Sequence, residues 1–135
     1  MTEEKSYRIT PIDNGAIVYT TYAGAVTLKV LMDSSRERTS DPEYRDAKFI
    51  VNDIRDADVC RVTADDVREM AARVRKVLEQ RPDTTVVMVV KDNLAYGMSR
   101  IWRGKARAVS KDLHVVYSKE EAFKIINRIR AERGL

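Results

Sequence analysis

Between Lys48 and Val90 the chain carries two unbroken apolar runs separated by one amphipathic helix, and few folds accept that order. Phe49-Ile50-Val51, within a strand expected over Lys48 to Ile54, and Val86 to Val90 lack the alternation of a half-solvated strand, so each is expected to be covered on both faces, as in a central parallel strand. Between them, Thr63 is expected to cap a helix whose first turn holds Asp65 and Asp66, acids that complement the helix dipole. Val67, Met70, Ala71, Val74, Val77 and Leu78 then recur at i, i+3, i+4 and i+7, with Arg68, Arg75, Lys76 and Glu79 on the other side. Arg81-Pro82-Asp83 breaks the chain before the second apolar run. Helices between apolar strands imply crossover connections and a mostly parallel sheet.

The remaining segments extend this unit at both ends. Tyr7 to Thr10 and Ala16 to Tyr22 read as two strands joined through Ile12-Asp13-Asn14-Gly15, whose Asn-Gly pair signals a tight hairpin. Thr27 caps a helix with apolar Leu28, Leu31 and Met32; its pattern decays over Ser34 to Arg38 and stops at Asp41-Pro42. A short helix is expected over Leu94 to Trp102, ending near Gly104, and a last strand over Leu113 to Tyr117. Ser118 and Glu121 form a capping box for a terminal helix that packs through Ala122, Ile125, Ile126 and Ile129. The expected fold class is therefore α/β: a mostly parallel sheet of about five strands with an antiparallel N-terminal edge strand, and about four helices. At 135 residues this is one domain, 1–135, with a core from about 7 to 129.

Charge narrows the function classes. The net charge of +4 rests on mixed signs, except between Asn93 and Lys111, where Arg100, Arg103, Lys105, Arg107 and Lys111 meet no acid. That stretch has one Trp, one Tyr and no recognised module, which argues against nucleic acid as a partner class, and stable membrane attachment would need a second anchor. No apolar run approaches the roughly 20 residues of a membrane span. The polar N-terminus and the single Cys60 fit a cytoplasmic protein without an internal disulfide.

On open parallel sheets, ligands sit beyond the carboxyl ends of the strands. That rule points to Asp53, Arg55 and Asp56 after one strand and to Asp92 and Asn93 after the next. Arg100 and Arg103 share a helical face, with Trp102 nearby, an arrangement suited to a protein interface or an anionic group. The competing reading pairs Arg100 with Asp53 or Asp92 and lays Trp102 on the sheet edge. Asp53, Asp56, Asp58 and Asp65 match no calcium-loop spacing, so no metal site is expected. His114 is the only histidine and reads as structural. Cys60, ahead of a helix, reads as a small buried apolar residue. The five glycines are scattered, which leaves no phosphate-binding loop; no cofactor and no catalytic residues are expected.

Gly24-Ala25-Val26-Thr27, Asp41-Pro42-Glu43-Tyr44, the strand with Asp53-Ile54-Arg55, Thr63 opening a helix, Tyr96-Gly97-Met98-Ser99-Arg100, and Val116-Tyr117-Ser118 with Glu121-Ala122 together resemble the SpoIIAA-like proteins. These small bacterial domains share the STAS fold of anti-sigma-factor antagonists and are also compared with the Sec14 lipid-binding fold. The resemblance runs from about Tyr7 to Ile129. It implies the sheet already expected and little about activity. The Asp-Ser-Ser-Gly-type phosphorylation motif of STAS antagonists is missing, since the corresponding region reads Asp53 to Thr63 with only Thr63 offering a hydroxyl. Asp33-Ser34-Ser35 matches in letters but falls on an earlier helix. The function expected is a non-enzymatic cytoplasmic regulatory domain working through a protein partner or a homodimer. Its expected surface comprises Asp53, Arg55, Asp92, Asn93, Tyr96, Arg100 and Trp102. The alternative is a small-molecule or lipid carrier in the manner of Sec14-like domains.

Overall fold

A computed structural model describes residues 6–93, 96, 97, 100 and 113–134. Strands β1 (Tyr7–Ile12), β2 (Ile17–Ala25), β3 (Phe49–Asp58), β4 (Thr85–Val89) and β5 (Leu113–Val116) form one sheet in the order β1-β2-β3-β4-β5. β1 pairs antiparallel with β2, and every other neighbouring pair is parallel. Three helices are bounded among the described residues: α1 (Leu28–Ser40), α2 (Ala64–Gln80) and α3 (Lys119–Arg133). About four were expected. The additional one, Leu94 to Trp102, falls largely outside the described residues, of which Tyr96, Gly97 and Arg100 are helical.

The hairpin forms where Asn-Gly demands it. Asp13, Asn14 and Gly15 all take positive φ, at 53°, 59° and 85°. A Cβ on Gly15 would strike the carbonyl oxygen of Glu43, so this turn needs glycine for space as well as for conformation. Arg130 near the end of α3 holds the same turn through a 2.7 Å ion pair with Asp13.

Side-chain alternation along each strand sorts the core into two layers. Ile17, Tyr19, Phe49, Val51, Val87, Val89 and Val116 pack against Ala122, Ile126 and Ile129 of α3. On the opposite face, Val86 and Leu113, with half-buried Ile50 and Met88, pack against Val67, Ala71 and Leu78 of α2. The apolar runs of β3 and β4 are thus adjacent, parallel and covered on each side.

Two local expectations require correction. β3 does not end near Ile54 but runs to Asp58, because after an irregularity at Thr21/Ala23 it continues pairing with β2 through Asp56, Ala57 and Asp58. Its last residues are largely exposed, so charge is tolerated in a strand there. In α1 the segment read as a decaying pattern is the buried one: Ser34, Ser35 and Arg38 face inward, while Leu28, Leu31 and Met32 are half-buried. Thr20 and Tyr22 on β2 supply the polar partners that make this possible. Arg38 Nη1 donates to Thr20 Oγ1 (3.3 Å) and to Tyr22 Oη (3.0 Å). Ser34 donates to the Leu31 carbonyl, so its 2.6 Å contact with Tyr22 is one in which the tyrosine donates. Buried in mid-helix, Ser34 and Ser35 are out of a modifying enzyme's reach.

Candidate functional site

The carboxyl ends of the parallel strands gather two side-chain clusters. In the first, Asp53 lies 5% exposed on the α3 face of β3 and accepts four hydrogen bonds. Tyr19 Oη donates to Oδ2 at 2.6 Å. Arg55 donates through Nη2 to Oδ2 (2.7 Å), through Nε to Oδ1 (3.0 Å), and through its backbone N–H to Oδ1 (3.1 Å). The guanidinium and carboxylate therefore meet fork to fork.

Electrostatics follow from this packing. Burial pushes the Asp53 carboxyl upward, but hydrogen bonds from Arg55 and Tyr19 outweigh it and hold the group below its usual value. Burial, reinforced by the adjacent carboxylate, drives the Tyr19 phenol well above the ordinary tyrosine range. Its hydrogen bond with Asp53 likewise raises Arg55. Each proton is fixed, and Asp53 has its in-plane acceptor positions taken. The triad behaves as a structural clamp rather than an acid–base pair. Around it, the Tyr19 ring stacks on Phe123 (centroids 6.2 Å apart, planes 6° apart), with Lys119 Nζ 4.9 Å from the Tyr19 centroid.

The second cluster is open to solvent. Tyr117, directly after β5, is 44% exposed; its ring stacks on Tyr96 at 5.4 Å with planes 6° apart, and its hydroxyl donates to Asn93 Oδ1 at 3.2 Å. The Tyr96 N–H donates to the Asp92 carbonyl at 2.9 Å, so Asp92 starts the turn that presents Tyr96.

The expected surface thus divides. Asp53 and Arg55 meet each other, and Asn93 and Tyr96 meet Tyr117. Asp92 and Arg100 are exposed. Asp53 takes Arg55, not Arg100, as its ion-pair partner. Trp102 lies outside the described residues. Asp56 is exposed near the carboxyl end of β3. Cys60 is exposed rather than buried, and the neighbouring Asp58 carboxylate holds its thiol above the ordinary value, the opposite of an activated nucleophile. His114 sits half-buried in β5 opposite Val87.

Sequence reasoning passed over Tyr19, Tyr117, Lys119 and Phe123. Tyr19 carries no local signal, because it sits in an apolar strand 34 positions from its carboxylate partner. Tyr117 was within reach: the strand-end rule that pointed to Asp92 and Asn93 applies equally to the residue following β5. No protein-family model matches this chain, and no curated protein matches it.

Proposed function

We propose that this chain is a non-enzymatic cytoplasmic interaction domain of the SpoIIAA-like type, which captures a partner protein or a second copy of itself on the carboxyl ends of its parallel strands. The observation that carries the reading is Tyr117, the large hydrophobic side chain left exposed among the described residues, held in place by Tyr96 and Asn93. A rigid aromatic with a polar tip loses little freedom on burial and is a preferred interface anchor. Arg100 is exposed on the same helical turn region as Tyr96 and adds a cation to this surface. The saturated Asp53 supports a scaffold rather than a catalyst. Carriage of a lipid or other bulky apolar molecule is less well supported: the more closed cavity lined by described residues holds about 40 Å3, far below the roughly 300 Å3 of a typical ligand pocket, and the larger hollows of about 330, 370 and 660 Å3 are open surface grooves.

The test is the double substitution Tyr117→Ala with Arg100→Ala. Immobilised variant is expected to retain the native-cell partner at least tenfold less well than wild type, or to lose self-association in sedimentation, with its melting temperature nearly unchanged. Full retention, or loss of the folded state, would show that these residues belong to the scaffold and not to a contact surface.

A further inference from the structure

At the other end of the sheet, between α1, α2 and the amino ends of β3 and β4, lies the cavity of about 40 Å3. Its apolar wall is formed by residues such as Val74, Val77 and Leu78, and its polar groups are Ser35, Arg38, Thr39, Asn52 and Arg81 together with Tyr44. Among the described residues no carboxylate lines it. Arg38 is 7% exposed, yet its hydrogen-bond partners among the described residues, Thr20 and Tyr22, are neutral and both use Nη1. A guanidinium this deeply placed is ordinarily matched by an anion. The nearest acid in sequence, Glu37, is engaged instead by the hydroxyls of Tyr7 and Tyr44.

Three further features converge on the same place. Asn52 lines the cavity, its Oδ1 is buried without a hydrogen-bond partner among the described residues, and its N–H2 group is left free to donate there. Ser35 Oγ accepts from Arg73 Nε at 2.9 Å, which leaves its own proton to donate. The cavity shares Thr39, Val77 and Arg81 with an adjoining open groove of about 330 Å3, to which Arg73, Lys76 and Gln80 contribute and which also has no acid among the described residues. None of these four cations forms an ion pair among the described residues. The carboxyl ends of α1 and α2 offset part of this charge, roughly half an elementary charge each, and leave the site positive.

We infer that this cavity is a binding site for a tetrahedral oxyanion, either free phosphate or the phosphoryl group of a small phosphate monoester. Donors arrive from α1, α2 and β3, a spread suited to a tetrahedral group with several acceptor oxygens more than to a planar carboxylate. The enclosed volume admits the phosphoryl group, and the outer groove has room for whatever it esterifies. The site is separate from the strand-end surface around Tyr117.

Titration calorimetry and thermal unfolding at constant ionic strength test this with sodium phosphate, glycerol phosphate and sodium chloride. Wild type is expected to bind phosphate or glycerol phosphate saturably and to melt higher in them than in chloride. A preference for glycerol phosphate would identify the esterified form, and a preference for inorganic phosphate the free ion. Arg81→Gln, a half-exposed change that leaves the core intact, is expected to weaken affinity about tenfold, the scale of one charge-assisted hydrogen bond. Arg38→Met is expected to abolish the shift, whereas Arg75→Gln, placed with Glu79 on the outer side of α2, should leave it unchanged. Equal melting in phosphate and chloride, or unaltered affinity in Arg81→Gln, would overturn the assignment, including in the event that Arg38→Met does not fold.

Discussion

Asp53 shows how one residue can be polar, buried and inert at once. A carboxylate at 5% exposure is costly unless its oxygens are satisfied, and here Tyr19 and Arg55 supply four donors. Tyr19→Phe removes one charge-assisted bond and is expected to cost about 1.5 kcal/mol in urea unfolding, with Arg55 still in place. The pH dependence follows from the direction of each shift. Asp53 lies below its ordinary value of 3.8 when folded, so its contribution is present above that value and lost as pH falls through the folded one. Tyr19 lies above its ordinary value of 10.0, so its contribution is present below pH 10 and lost as pH rises. Stability measured across pH should therefore plateau between these limits and fall on both sides. Tyr44, raised by burial and by Glu37, adds to the alkaline loss, and Tyr19→Phe should remove only part of it.

At the scale of elements, α2 and α1 make an instructive pair. α2 is legible because its stripe is apolar and its start is reciprocal: Asp66 N–H donates to Thr63 Oγ1 (3.1 Å) while Thr63 N–H donates to Asp66 Oδ2 (3.0 Å). Thr63→Ala should cost about 1 kcal/mol in chemical denaturation, and Thr63→Ser should restore most of it. A full loss of folding in Thr63→Ala would mean that Thr63 does more than cap. α1 was misread because its buried face is Ser34, Ser35 and Arg38, and no periodicity of apolar residues reports a polar face. The reading depends on Thr20 and Tyr22 of a different strand. The far end of β3 differs from expectation for the converse reason: Arg55 to Asp58 looks like a loop, yet pairing with β2 continues past the covered part of the sheet.

Taken as a molecule, the domain is one sheet shared by two layers, so neither layer can be lost alone. Val87 is fully buried on the α3 side, while Val86 beside it is buried on the α2 side. Val87→Ala is expected to destabilise by roughly 2 kcal/mol or more and to lower one single transition. Fluorescence and far-ultraviolet circular dichroism should report coincident midpoints; two separated transitions would mean that the α3 layer unfolds independently. The two candidate sites sit at opposite ends of this sheet, the exposed aromatic at the carboxyl ends of the strands and the cationic cavity at the amino ends. That separation lets each be altered without disturbing the other, which keeps their tests independent.

Local patterns in the chain were enough to determine where α2 and the buried strands lie, the hairpin at Asn14-Gly15 and the α/β class, because period, capping and turn chemistry are properties of neighbouring residues. Tertiary structure alone decided that Tyr19 reaches Asp53 across 34 positions, that α1 buries an arginine, and that Tyr117 stacks on Tyr96. A polar side chain's meaning is set by the partner that strand register brings opposite it, and register joins segments whose separation in sequence carries no periodic signal.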